Sequence, residues 1–382
     1  MSFKQLPTAI FSILIIMQVA LPESARAQVE TLHTEEGVMI KVEDIAEGLN
    51  HPWGMAFLPD GRLLLTVRNT GKLHILDTGH NLSAALPGTP EVWANGQGGL
   101  LDVALHPDFE ENNYVYLSYS KPGAGGTATT ALGRGQLMDD ELVGFEMIFE
   151  QQPYVDGPNH FGNRIAFSPD GQYLYLALGE RFQFDPAQDL SNHLGKVIRI
   201  APDGSVPEGN PYIDTENAEA EIWSFGHRNI EAMAFHPTTN DLWVVEMGPL
   251  GGDELNKVEA GANYGWPEVS WGDHYDGEEI PDPDPGSQPQ FEDAAYHWSP
   301  VISPSGMAFY EGEVFPEWNG MGMVGGLSSR ALIMLSFEGD TAKEAFRLPL
   351  SSRIRDVEVA PDGSIYLLTD ADDGHIWRMS RM

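Results

Sequence analysis

The sequence predicts an all-β fold, a six-bladed β-propeller with four-stranded antiparallel blades. Three observations carry that expectation. One strand–turn–strand unit recurs six times, 41 Gly and 27 Pro punctuate short apolar runs, and no heptad or long helical stripe interrupts them.

The repeats run in order along the chain. Trp53 through Gly61 leads into Leu63-Leu64-Leu65-Thr66, and Leu101 through Asp108 leads into Val115-Tyr116-Leu117-Ser118. Arg164 through Gly171 leads into Leu174-Tyr175-Leu176-Ala177, and Met233 through Pro237 into Leu242-Trp243-Val244-Val245. A degenerate fifth copy spans Gly306 to Tyr310, and the sixth, Val357 to Gly363, leads into Ile365-Tyr366-Leu367-Leu368. In the full copies an apolar strand meets a Pro-Asp-Gly turn, where Pro fixes φ and Gly accepts the left-handed position. A second strand returns as a hairpin, and the spacing leaves room for two more strands per unit. A large β-sandwich is the competing architecture, but sandwiches do not usually repeat one turn sequence. A propeller gathers loops from distant blades around its channel mouth, so function is sought there.

At 382 residues and 42% hydrophobic content the chain can bury a sizeable core. Its 57 acidic against 21 basic residues give a net charge of −36, which argues against nucleic acid and anionic membranes as partners. Such a surface is strongly solvated, and some of its carboxylates could hold divalent cations. With no cysteine, any metal must sit on oxygen or nitrogen ligands. The N-terminus has export grammar: Lys4, an apolar stretch from Ala9 to Leu21, Pro22, then Ala25-Arg26-Ala27. A signal peptide over 1–27 is expected, with one domain over 28–382 placed in the periplasm or secreted.

Five polar loop segments stand out: Gly96-Gln97-Gly98-Gly99, Asn159-His160-Phe161-Gly162, Gly226-His227-Arg228-Asn229, Met247 through Glu254 with Asn263-Tyr264-Gly265, and Arg353-Ile354-Arg355. The two arginines alternate on one strand face and suit a carboxylate-bearing ligand, although a salt bridge to a surface acid would look the same.

These segments, with Asn192-His193-Leu194-Gly195-Lys196-Val197, resemble those of the aldose sugar dehydrogenases that depend on pyrroloquinoline quinone (PQQ), relatives of soluble quinoprotein glucose dehydrogenase. The likeness extends from His51-Pro52-Trp53 to Thr369-Asp370. It implies oxidation of aldoses to lactones, with a soluble or membrane-bound electron acceptor and a monomeric or homodimeric protein. His160 matches the general base and Glu180 its carboxylate partner, where relatives mostly carry Asp. Arg228 matches the residue that polarises the quinone. Gln97, Asn229, Arg353 and Arg355 match cofactor-binding positions, as do Tyr275 and Asp276 beside it. The carbonyls of Gly248 and Pro249 match a calcium site shared with the cofactor, while Glu254 and Tyr264 match a second, structural calcium. Ser328 stands where the family has a cofactor-gripping Lys, with Arg330 two residues on. Two other activities fit the same fold: a calcium-dependent hydrolase of the lactonase type, and a non-catalytic sugar- or protein-binding propeller.

Overall fold

The computed structural model describes residues 29–34, 37–283, 286 and 288–382; the expected signal segment lies outside them. Six antiparallel sheets follow one another along the chain. Their first strands are Pro52–Phe57, Leu100–Leu105, Gly162–Phe167, Ile230–Phe235, Pro304–Phe309 and Ile354–Val359, and these head blades 1 to 6. Each first strand contacts that of the blade before and the blade after, and the sixth returns to the first, closing a ring. The expected six-bladed propeller is therefore the observed fold.

Blades 2 to 5 have four strands, as expected, while blade 1 has three and blade 6 has five. The difference in blade 6 comes from ring closure. Met39–Leu49, near the N-terminus, pairs antiparallel with Gly374–Arg381 at the other end, and Val29–His33 adds outside it. Ladder hydrogen bonds from the two ends of the chain thus lock the circle. In blade 1 the fourth strand is reduced to isolated bridges, Leu73 to Leu86 and Leu76 to Leu82.

Local chemistry explains the repeat. In three of the Pro-Asp-Gly turns Gly61, Gly171 and Gly363 take φ of +85°, +70° and +81°, and each donates its N–H to the carbonyl three residues back. The Asp accepts from the amide two residues on, at 3.0 Å for Arg62, 3.1 Å for Gln172 and 2.9 Å for Ser364. This is an Asx-type lock on the hairpin. The six largest apolar clusters among the described residues each lie between adjacent blades, so every interface has its own core.

All six first strands share one irregularity. Their register shifts at the second or third residue, between Pro52 and Met55 in blade 1 and between Leu100 and Val103 in blade 2, and likewise in the rest. A bulge re-aims side chains. Here it affects the stretch that carries Trp53, Glu231 and Arg355, residues that line a cavity at one end of the channel.

Candidate active site

His160 sits in the loop that enters blade 3, and the chain fixes it from three sides. Arg181, fully buried, donates to the carbonyls of Asn159 (2.9 Å), Ala128 (2.7 Å) and Gly157 (2.6 Å) and lies 3.6 Å over the Phe161 ring. The Gln97 side-chain carbonyl accepts the His160 amide at 2.6 Å. The His160 backbone is held at φ +53°, a region that non-glycine residues enter rarely and that clusters at functional sites. Its Nδ1 lies 2.5 Å from Glu180 Oε1, and the other oxygen of this fully buried carboxylate accepts from the amides of Gln183 (2.5 Å) and Phe184 (2.9 Å).

That arrangement sets the tautomer. Nδ1–H donates to the Glu180 carboxylate, leaving Nε2 as the lone-pair nitrogen, with no hydrogen-bond partner among the described residues. Burial foremost pushes the His160 pKa below its ordinary value; the hydrogen bond to Glu180 opposes this, and the nearby Arg228 and Arg181 charges reinforce it. The balance favours the neutral imidazole, whose Nε2 is free to accept a proton. Phe182, 39% exposed, meets its ring edge-on at 5.1 Å and continues through Phe184 to Trp266 as an aromatic wall.

Beside this loop opens a cavity of about 450 Å³, lined by Trp53, Arg68, Gln97, Glu231, Arg355 and Asp370 among others, with Arg353 at its edge. Arg355 donates to Glu231 and to Asp370, both at 3.0 Å, and Arg353 reaches the same Asp370 oxygen at 3.2 Å. Burial opposes ionisation of Asp370, yet Arg355, a hydrogen bond from His51 and Arg68 hold its carboxyl well below the usual range. Arg355 Nε is buried with no partner. The network runs on from Glu231 to Asn229 Nδ2 at 2.9 Å, and Asn229 Oδ1 accepts the Gly162 amide at 3.0 Å, two residues from His160.

Arg228 stands on the far side of Asn229. Its Nη1 donates to the carbonyls of Met247 and Gly248, both at 2.8 Å, and its Nη2 to the Tyr275 hydroxyl at 3.1 Å, while its buried Nε has no partner. His160, Arg228 and Arg355, far apart in sequence, thus share one hydrogen-bonded region. Asp276 is not drawn in: it stays exposed and accepts the Glu278 amide. Ser328 is also exposed, bonded to the Val301 carbonyl at 3.3 Å, and neither it nor Arg330 lines the cavity.

Behind Arg228 is a second void of about 10 Å³, room for one water-sized centre, bordered by Glu246, Glu254, Gly248 and Tyr264. Burial, and next the Glu246 charge, push Glu254 up to about 8. Asn256 Nδ2 bridges Glu246 (3.1 Å) and Glu254 (3.3 Å), leaving its Oδ1 buried without a partner. Two crowded carboxylates, Glu246 and Glu254, with the Gly248 and Tyr264 backbones beside them, border this void and are oxygen donors of the kind calcium takes; the Arg228 guanidinium borders it too. The Tyr264 hydroxyl is turned elsewhere, donating to the Lys257 carbonyl at 2.5 Å, so only its backbone could serve a metal. The loop between these groups is tight. A Cβ on Gly252 would come within 2.3 Å of Gly272 N, and Asp253 ties the loop to blade 5 through the amides of Ile302 (2.8 Å) and Ser303 (2.7 Å).

The family model for glucose/sorbosone dehydrogenase matches residues 49–378. The chain is 43% identical over 345 residues to aldose sugar dehydrogenase YliI of Escherichia coli (strain K12), covering 89% of this chain and 93% of that one. It superposes on a crystal structure of a glucose dehydrogenase with a TM-score of 0.84 at 42% identity, covering 88% of this chain and 98% of that one. The PQQ-bound aldose sugar dehydrogenase of Streptomyces coelicolor gives 0.74 at 28% identity, covering 94% and 99%.

The chain belongs to the glucose/sorbosone dehydrogenase family.

Within that family, several residues at this site were not singled out from the sequence. Arg68, Glu231 and Asp370 line the cavity, yet each sits in or beside an ordinary apolar strand and carries no loop motif. Their signal was a charge at a repeat position that is apolar or small in some of the other blades. Glu231, for example, occupies the place of Trp53 and Leu101. Lys196, quoted only as part of a motif, is fully buried and donates to the carbonyls of Pro186 (3.0 Å), Ala187 (3.0 Å) and Leu194 (2.6 Å). It thereby anchors the turn that follows Phe184.

Proposed function

We propose that the protein oxidises aldose sugars at the anomeric carbon to lactones, using PQQ and calcium. One observation carries this: the His160–Glu180 pair, with its unpartnered Nε2, opens beside the cavity that holds Arg353 and Arg355. Membership of the family and the PQQ named in a relative's structure support the same activity.

When bound, the quinone supplies a two-electron acceptor for the sugar's anomeric hydride, with calcium as Lewis acid. The rest falls to the chain. His160 Nε2 accepts the proton of the anomeric hydroxyl. Glu180 keeps the imidazole in the required tautomer and stabilises the imidazolium that forms. Arg228 offers a desolvated guanidinium where negative charge develops. Arg353 and Arg355 clasp carboxylates of the cofactor, with Gln97 bracing the His160 backbone. Asn229 spends its oxygen on Gly162 and one amide proton on Glu231, so it mainly holds the site in register. The carbonyls of Gly248 and Pro249 would hold the calcium shared with the cofactor, and Glu254 with the Tyr264 carbonyl would hold a second ion; in the chain as it stands the Gly248 carbonyl accepts from Arg228 at 2.8 Å. Export by way of segment 1–27 places this chemistry outside the cytoplasm, with a soluble or membrane-bound partner receiving the electrons.

The test is reconstitution. Apoprotein mixed with PQQ and calcium reduces an artificial electron-accepting dye when given glucose or another aldose. Absence of dye reduction across a panel of aldoses at saturating cofactor refutes the proposal.

A further inference from the structure

The cations around the 450 Å³ cavity are not equivalent. Arg355 is committed to Glu231 and Asp370, each at 3.0 Å, and Arg353 to Asp370 at 3.2 Å. Arg68 lines the same cavity and is 9% exposed, yet no carboxylate lies within ion-pair distance of it among the described residues. Its one side-chain hydrogen bond is Nε to Asn69 Oδ1 at 3.2 Å. A largely buried guanidinium without a counterion is costly unless a ligand supplies one. Burial foremost, and the Arg355 charge next, push its pKa below the ordinary value, and the more distant Asp370 and Glu231 charges do not fully offset them.

The surroundings are built to keep Arg68 there. Its amide donates to the His51 carbonyl at 2.9 Å, and its carbonyl accepts the Leu100 amide at 3.2 Å, pinning it between the entry to blade 1 and the start of blade 2. Gly99 packs on it so closely that a Cβ would lie 2.2 Å from the Arg68 carbonyl oxygen and 2.6 Å from its Cγ, and Gly99 has φ +152° besides. The double glycine of the Gly98-Gly99-Leu100-Leu101 segment thus makes room for the Arg68 stem. Counting the lining residues, three guanidiniums face two carboxylates, Glu231 and Asp370. The lining carries one positive charge in excess, and Arg68 is the guanidinium of the three that has no carboxylate within ion-pair distance among the described residues.

We propose that Arg68 is an anion-binding residue of this site and takes a carboxylate of PQQ, supplying the cationic contact that Ser328 cannot. This rests on the PQQ reading above. PQQ is a tricarboxylate, so a third guanidinium beside Arg353 and Arg355 has an acceptor to meet. A charge-assisted contact of this kind is worth about ten- to a hundred-fold in affinity.

The experiment is an equilibrium titration of apoprotein with PQQ, read by calorimetry and by quenching of tryptophan fluorescence, for wild type, Arg68→Gln and Arg68→Lys. The trimethyl ester of PQQ, which lacks the carboxylate charges, is titrated in parallel. Arg68→Gln is expected to weaken PQQ binding about ten- to a hundred-fold, Arg68→Lys less. Binding of the ester should be nearly unchanged by either substitution. The apoprotein melting temperature of Arg68→Gln should match or exceed that of wild type, since no ion pair is lost. Equal PQQ affinity in wild type and Arg68→Gln overturns the inference alone, as does an equal loss for acid and ester, which marks a structural role. Failure of wild type itself to bind PQQ overturns this inference and the proposed function together.

Discussion

Two histidines in this molecule have nearly the same partner and opposite fates. His160 places Nδ1 2.5 Å from Glu180, and His227 places Nδ1 2.9 Å from Glu246. The second nitrogen separates them. His227 Nε2 is engaged by the Ser224 hydroxyl at 2.9 Å, and its ring is fully buried and stacked 4.5 Å from Tyr264. His160 Nε2 has no hydrogen-bond partner among the described residues, and its loop borders the large cavity through Phe161 and Gly162. A histidine–carboxylate pair is therefore not a signature of a base. The pair proposed as the base is the one with an unspent lone pair beside a cavity.

Substitutions at the two pairs should separate cleanly. His160→Ala is expected to lower turnover by about 10²–10⁴-fold while leaving PQQ affinity almost intact, measured by steady-state rates beside a cofactor titration. Glu180→Gln should cost roughly 10²-fold in turnover, because the amide neither fixes the tautomer as well nor stabilises the imidazolium. His227→Ala should instead leave the Ser224 hydroxyl without a partner, remove one of the donors to the buried Glu246 carboxylate, and lower unfolding free energy by about 2–4 kcal/mol, with turnover of the folded fraction changed only a few-fold. A catalytic loss at His227 equal to that at His160 would erase the distinction.

Acidity sharpens the comparison further. Burial holds the His160 pKa below 6.5, and the base works only when unprotonated. The rate should therefore rise with pH and level off above a midpoint lying below 6.5. Glu180 is a group that raises this pKa, so Glu180→Gln should move the midpoint lower still. A midpoint above 7 in wild type contradicts the assignment. The smallest expected effect is on stability: calcium should raise the melting temperature of wild type, by an amount equivalent to about 2.7 kcal/mol at a hundred times Kd, and that gain should vanish in Glu254→Ala.

Much of this was legible in the sequence because it is local. A Pro-Asp-Gly turn is stabilised within a few residues, as Asp60, Asp170 and Asp362 show by bonding the amide two positions on, so its repetition disclosed six blades. The extra strands of blade 6 were not legible, since the pairing of Met39–Leu49 with Gly374–Arg381 joins opposite ends of the chain. The site divides the same way. His160, Arg228 and the Arg353/Arg355 pair lie in polar loop motifs that stand out by composition. Arg68 and Glu231 are single charges in or beside apolar strands, Asp370 opens an acidic turn with Asp372 and Asp373, and only the closed ring turns the three toward one another. Asp276 enters only through the family resemblance, and its carboxylate serves its own turn. The sequence could not distinguish a side chain aimed at a cavity from one that caps a bend.

The most direct measurement follows the cofactor's absorbance in a single turnover. Wild type and His160→Ala are loaded with PQQ and calcium to equal occupancy and mixed with excess aldose. Rapid reduction in wild type and reduction slowed by at least about a hundred-fold in the variant is the expected result. Equal rates at equal occupancy would remove His160 from the chemistry and contradict the account.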